Sequence, residues 1–213
     1  MKRINRQKVP FIKGLGNIEQ TESWIDSEMN ELPGICFIGR SNVGKSSLIN
    51  ALFGNKIAKV SQTPGKTREI NLFLAEILDQ ETGESKKFWL IDLPGYGYAK
   101  ASKEIIKKWQ NLMNYFFDKA PKSLLMVSMR DSRHTNQDSD EIFMEYLKSY
   151  KRNFITAFNK FDKLKTQKER IKLKRFTEEM KKSNPHQMFK VSAERRDNLS
   201  DIENFISEYI WNF

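Results

Sequence analysis

Cysteine is almost absent from this chain of 213 residues, with Cys36 standing alone. An intramolecular disulfide framework is therefore impossible, and nothing in the cysteine usage argues for an oxidising compartment. Long apolar runs are missing as well. The longest unbroken aliphatic stretch runs only from Leu124 to Val127, far below the roughly 20 residues that a spanning helix needs. The basic start (Lys2, Arg3, Arg6, Lys8) is not followed by an apolar core, so no secretory signal is expected and the cytoplasm is the expected compartment. Repeats and low-complexity segments are lacking. Histidine occurs twice; His134 follows an Asp-Ser-Arg turn with no metal-binding cluster near it, and it reads as a structural or surface residue.

What is present is a charged globular chain. Charged residues make up 30% of it, and 37 Lys+Arg against 27 Asp+Glu give a net charge of +10. The length suits one domain with its own core and no need of a staple. The charge suits a polyanionic partner, nucleic acid before membrane, or else a solvated basic surface. Two stretches concentrate it. Residues 2–13 carry Lys2, Arg3, Arg6, Lys8 and Lys13 without an acid, and residues 163–182 form a strongly basic segment.

Residues 1–33 read as an irregular basic arm ending at Pro33-Gly34, and 34–213 as the main domain. Ile35-Cys36-Phe37-Ile38 predicts a buried strand and 46–53 a helix. Residues 70–78 and 87–91 predict two strands, with Glu81-Thr82-Gly83-Glu84 as the hairpin turn that makes them antiparallel. A helix capped by Ser102 is expected to run to about Asp118, with Trp109 and Phe116 on its core face. Strands over 123–128, 154–158 and 188–191 alternate with helices over 139–150, 166–182 and 199–211. This alternation predicts an α/β fold with a mixed, mostly parallel sheet flanked by helices on both faces.

Four motifs follow predicted strands. Gly39-Arg40-Ser41-Asn42-Val43-Gly44-Lys45-Ser46 matches G-x-x-x-x-G-K-[ST] between a strand and a helix. Its glycines permit a tight loop whose N–H groups, with the helix N-terminus, hold phosphates. Lys45 can reach the β- and γ-phosphates, and the Ser46 hydroxyl can ligate Mg²⁺. Asp92-Leu93-Pro94-Gly95 supplies an acid for the magnesium shell and a glycine N–H near the γ-phosphate. Asn159-Lys160-Phe161-Asp162 suits guanine, because the Asp162 carboxylate can accept from both N1–H and the 2-amino group, a donor pair that adenine lacks. Val191-Ser192-Ala193 can present a backbone N–H to guanine O6. Singly the last three are weak; in one order, each after a strand, they read as a guanine-nucleotide site at the strand carboxyl ends.

The stretches Phe37 to Asn50, Thr63-Pro64-Gly65-Lys66-Thr67 and Asp92-Leu93-Pro94-Gly95-Tyr96-Gly97-Tyr98-Ala99 resemble the EngB (YihA/YsxC) family of TRAFAC-class GTPases, as do Asp131-Ser132-Arg133-His134, Asn159 to Lys163 and Val191 to Ala193. The resemblance covers about residues 10 to 211. It implies a Ras-like P-loop fold, GTP and Mg²⁺ binding, slow hydrolysis, a role in assembling the large ribosomal subunit, and a need in normal cell division and septation. It also implies that Thr67 joins Ser46 and Asp92 around Mg²⁺, that Gly65, Lys66, Thr67, Arg68 and Glu69 form a nucleotide-contacting loop, and that Lys45, Thr67 and Gly95 serve the hydrolytic step.

Four positions depart from related patterns or carry open roles. Asn198 stands where a glycine is common, and Glu69 where a smaller or amide residue is. Tyr96 takes the place of the water-orienting glutamine of Ras-type enzymes; it either packs against the switch or has a role that a phenol can fill. Asn42 resembles the potassium-coordinating asparagine of related GTPases, or else stabilises the loop backbone. The basic helix and arm are candidate contacts for rRNA phosphates. The competing functional reading is an RNA-binding module that uses GTP only to set affinity. A monomer is the expected state.

Overall fold

The computed structural model describes residues 1–54, 57–58, 69–96, 102–135, 137–183 and 185–213. Expectations for Gly65, Lys66, Thr67 and Arg68, and for the Gly97 to Lys100 stretch, lie outside the described residues. The elements run β1 (Lys2–Ile4), β2 (Phe11–Leu15), α1 (Ile18–Ser27), β3 (Gly34–Gly39), α2 (Lys45–Phe53), β4 (Ile70–Asp79), β5 (Ser85–Asp92), α3 (Lys103–Lys119), β6 (Leu125–Asp131), α4 (Asp138–Ser149), β7 (Phe154–Asn159), α5 (Gln167–Ser183), β8 (Met188–Lys190) and α6 (Leu199–Trp211).

One sheet orders them β1-β4-β5-β3-β6-β7-β8, with β2 also paired to β4. From β5 to β8 the neighbours are parallel; β4 runs antiparallel to β5, and β1 and β2 antiparallel to β4. Every residue of the central β3 is buried, as expected of a parallel strand covered on both faces. Its side chains alternate between two cores. Ile35 and Phe37 pack with α2 and α6, whereas Cys36 and Ile38 pack with Trp24, Met113, Phe116 and Phe143 of α1, α3 and α4. The mixed sheet with helices on both faces agrees with the fold read from the sequence. Ser102 caps α3 as expected, accepting from the Ile105 N–H.

The irregular arm is a correction. Residues 1–33 hold two edge strands and a capped helix. Asn17 caps α1 by accepting from the Gln20 N–H, and Trp24 meets Trp89 edge-on with ring centroids 5.3 Å apart. The strands escape sequence reading because they are short and lie at an edge: Ile4 is the one buried residue of β1 and Leu15 that of β2. The arm's charges are also largely neutralised. Arg6 and Arg3 pair with the buried Glu203 of α6 at 2.5 and 3.8 Å, Lys2 with Glu208 at 3.5 Å, and Lys13 with Glu28 at 2.6 Å.

Candidate nucleotide site

The chain leaves β3 at Gly39 and re-enters regular structure at Lys45, the first residue of α2. Two residues of the intervening loop are left-handed, Asn42 with φ 66° and Gly44 with φ 92°. Such turns point successive N–H groups into one concavity. Asparagine tolerates this region better than most residues. At Gly44 space adds its own demand, since a Cβ there would lie 2.4 Å from Asn159 Nδ2. Gly39 is equally confined, between the Met129 carbonyl of β6 and the Val43 side chain.

The other motifs close around this loop through specific bonds. Asp92, buried at the end of β5, forms an ion pair with Lys45 through its Oδ1 atom. Leu93 and Pro94 are buried, and the Leu93 N–H donates to Phe37 O at 3.0 Å. Gly95 lies against the loop, where a Cβ would stand 3.0 Å from Gly39 O. The Tyr96 N–H donates to Gly39 O at 3.2 Å, and the Ser41 N–H donates to Tyr96 O at 3.0 Å.

Asn159, buried at the end of β7, bridges two motifs. Its amide donates to Val43 O at 3.1 Å and Gly44 O at 3.3 Å, and its oxygen accepts from the Ala193 N–H at 3.0 Å. Lys160 is left-handed at φ 61°, and its ammonium donates to Asn42 O at 2.6 Å and Asp131 Oδ2 at 3.0 Å. The Phe161 N–H donates to Val191 O. Asp162 accepts from the Ser192 hydroxyl at 2.6 Å, and that hydroxyl also accepts from the Arg195 N–H at 2.9 Å.

Asp162 and Asp131 are held in their ionised forms. Burial alone would raise the Asp162 pKa, but the Ser192 hydroxyl and the Lys163 ammonium bring it below the ordinary value. Asp131 is likewise pushed up by burial, and hydrogen bonds from Arg133 and Lys160 outweigh this and lower it to about 2. Asp131 is a site-shaping residue that motif reading missed, although it begins the Asp131-Ser132-Arg133-His134 stretch that resembles the EngB family. Asn198 is left-handed at φ 56°, as its tolerance allows, and its amide donates to Lys190 O at 2.8 Å. The Glu69 carboxylate lies against Gly14 of β2. His134 is exposed, while Phe116 is buried in the core and Trp109 packs against it.

Known proteins resemble this chain in sequence and fold. The family of 50S ribosome-binding GTPases matches residues 34–160. A probable GTP-binding protein EngB of Thermotoga petrophila is 38% identical over 81% of this chain and 84% of its own length. One of Petrotoga mobilis is 47% identical over 65% of this chain and 66% of its own. Among solved structures, a probable GTP-binding protein engB aligns with a TM-score of 0.61 at 27% identity, covering 84% of this chain and all of that one. Aquifex aeolicus Era bound to GDP·AlF4⁻ aligns at 0.68 and 24% identity, over 84% of this chain and 57% of that one, and shares the fold. With a phosphate loop, two strand-end carboxylates and a Ser-Ala turn joined into one site, the chain belongs to the EngB family of GTP-binding proteins.

Proposed function

We propose that this protein is a slow GTPase switch that serves assembly of the large ribosomal subunit, with GTP and GDP bound across the loop that Asn159 and Lys160 tie to the strand ends. The observation that carries the reading is that bridge: one amide joins the phosphate loop to Ala193, so phosphate and base subsites share a frame. In this reading Gly39 to Ser46 hold the phosphates, Gly65 to Glu69 contact the nucleotide, and Asp162 accepts from guanine. Val191-Ser192-Ala193 lie beside the base.

A hard cation prefers oxygen donors. The Ser46 hydroxyl at the start of α2 and the Asp92 carboxylate paired with Lys45 supply that chemistry, so the residues present fit Mg²⁺, with Thr67 as the third member. When bound, Mg²⁺ would offset charge between the β- and γ-phosphates. Lys45 and the loop N–H groups stabilise the same charge, and Gly95 stands beside the loop to sense the γ-phosphate. Turnover is slow in this reading because the residue after Gly95 is a tyrosine whose hydroxyl is already bound to Asp140. It is not free to orient water. Potassium would act through Asn42; faster turnover in K⁺ than in Na⁺ supports that role, and equal turnover leaves Asn42 with the backbone role that its φ explains.

The rRNA contact falls on α5 more than on the arm. The arm's cations are mostly paired, whereas among the described residues Lys165, Lys168, Lys172 and Arg175 have no ion-pair partner. Lys168, Lys172 and Arg175 line a groove of about 390 Å³ that also borders Thr135 and Phe176. Phosphate contacts of this kind position a nucleic acid without reading its sequence. The same charges favour the second reading, an RNA-binding module in which hydrolysis is incidental. No helix among the described residues is long and apolar enough to cross a membrane, and we place the protein in the cytoplasm as a monomer, with any effect on division and septation following from ribosome supply.

Co-sedimentation with large ribosomal subunits, in a non-hydrolysable GTP analogue or in GDP and at two salt concentrations, tests the proposal. Binding that requires the analogue supports the switch. Equal binding in both states favours the RNA-binding module, and no binding removes the ribosomal role. Steep loss of binding with salt supports the α5 contact.

A further inference from the structure

A second polar cluster is buried beside the phosphate loop, and its side chains take no part in the nucleotide contacts above. Its centre is Asp140, in the first turn of α4, whose side chain is 1% exposed. The Tyr96 hydroxyl donates to Asp140 Oδ1 at 3.0 Å, and the Tyr96 ring stacks on Phe143 with centroids 4.2 Å apart and planes 15° apart. Arg40 Nε stands 3.8 Å from the same carboxylate oxygen. Arg130, fully buried on β6, donates to the Asp140 carbonyl at 3.4 Å and to Glu141 at 2.7 Å. Two cations and two acids from the loop, β6 and α4 thus balance around one phenol.

Burying a carboxylate is costly unless nearby charges and donors offset it. Asp140 offsets part of that cost through Oδ1, with two contacts that both lead to the site, while its Oδ2 has no hydrogen-bond partner among the described residues. Arg40 is the second residue of the phosphate loop. Tyr96 follows Gly95, and its main chain is zipped to Gly39 and Ser41 on either side of Arg40. Held at its side chain by α4 and at its main chain by the loop, Tyr96 has little freedom, and neither does the glycine before it. Arg40 Nε has no hydrogen-bond partner, and a shift of less than about 1 Å would bring it to hydrogen-bond length from Asp140.

We propose that Asp140 is a positioning residue. By holding the Tyr96 hydroxyl it fixes where Gly95 stands against the phosphate loop, and so sets how much more tightly the site holds a nucleoside triphosphate than a diphosphate. The inference rests on the GTP reading above, in which the Gly95 N–H meets the γ-phosphate. A diphosphate does not reach that N–H, so loosening Gly95 weakens triphosphate binding selectively.

The test compares wild type with Tyr96→Phe, Asp140→Ala, Asp140→Asn and the double variant Tyr96→Phe/Asp140→Ala. Affinities for a fluorescent GDP and a fluorescent, non-hydrolysable GTP analogue are measured in Mg²⁺, together with melting temperatures. Tyr96→Phe is expected to weaken the analogue about tenfold, the scale on which small misplacements act, while GDP affinity stays within about twofold. Asp140→Ala is expected to match it, the double variant to be no worse than Asp140→Ala, and Asp140→Asn, which keeps an acceptor, to recover most of the loss. A drop in melting temperature with the analogue-to-GDP ratio unchanged would overturn the proposal, as would single effects that multiply in the double variant. Should Asp140→Ala fail to fold, Tyr96→Phe, which removes one oxygen, carries the test. Adenine nucleotides run in parallel: if wild type prefers them, the GTP reading fails, and the clamp is judged on the triphosphate-to-diphosphate ratio for ATP and ADP analogues.

Discussion

Replacing Asn159 by alanine removes three hydrogen bonds from a side chain with almost no exposure. The three losses are not equal. Gly44 O keeps a partner, because it also accepts from the Leu48 N–H at 2.9 Å. Val43 O and the Ala193 N–H lose the bonds that Asn159 gave them, and an orphaned buried group costs about 1–3 kcal/mol, against about 1 kcal/mol net for a bond whose partners can re-pair. The sum is about 3 kcal/mol of stability. For a chain of this size each kcal/mol moves the melting temperature by about 2–4 °C, so the nucleotide-free variant should melt roughly 6–12 °C below wild type. The binding consequence is distinct. Asn159 holds the phosphate loop to the Ser-Ala turn, and its loss should weaken GDP and GTP alike, by about tenfold, without erasing the preference for GDP over ADP. Asp162→Ala should do the reverse: a smaller drop in melting temperature, and a loss of base selectivity of about 100-fold or more. Calorimetry and a GDP-against-ADP competition read both quantities. An Asn159→Ala protein that melts within about 2 °C of wild type and binds GDP normally would refute the claim that this amide frames the site.

Asp131 gives a pH prediction. Its pKa falls from an ordinary 3.8 to about 2 in the folded protein, so its contribution is complete above pH 4 and is lost as the pH falls toward 2. The shift corresponds to about 2 kcal/mol; urea unfolding of wild type and Asp131→Asn should show that gap near pH 6 and its closure near pH 2, and a gap that does not change with pH would count against the Lys160 and Arg133 contacts. Gly44→Ala should abolish nucleotide binding, because φ 92° and a Cβ placed 2.4 Å from Asn159 Nδ2 are both unfavourable; retained binding measured by titration would contradict the packing. Changing Lys168, Lys172 and Arg175 together to alanine should lower the salt slope of RNA binding by about 2, from three phosphate contacts at about 0.7 each, and an unchanged slope would move the contact elsewhere.

The helices and inner strands were legible because their physics is local. β3 shows an apolar run ending at a glycine, and α3 shows a serine cap followed by apolar residues at helical spacing. The edge strands were not legible. Lys2-Arg3-Ile4 has no strand signal of its own; it becomes a strand because β4 offers an open edge and Glu203 offers a buried carboxylate to Arg3 and Arg6. Both partners lie far away in sequence, and no window on the arm contains them. For the same reason the arm looked like a free basic surface, when most of its charge is spent inside the molecule.

The site divides along the same line. Motif spacing picked out segments that the structure brings together, Gly39 to Ser46, Asn159 to Asp162 and Val191 to Ala193, since each is contiguous in sequence. What joins them is carried by side chains that motif reading treats as interchangeable. Asn159 was read as part of a base-recognition tetrapeptide, yet its bonds go to the phosphate loop and the Ser-Ala turn. The Lys160 ammonium reaches Asn42 and Asp131. Asp140 belongs to no motif, and its role exists only because α4 brings it to the tyrosine that stands where a glutamine would serve in Ras-type enzymes. A tyrosine there removes a water-orienting amide and adds a hydroxyl that a buried carboxylate can grip. In the proposed function, the same residue that would slow chemistry would also tighten the coupling between the γ-phosphate and α4, as suits a switch whose output is a conformation.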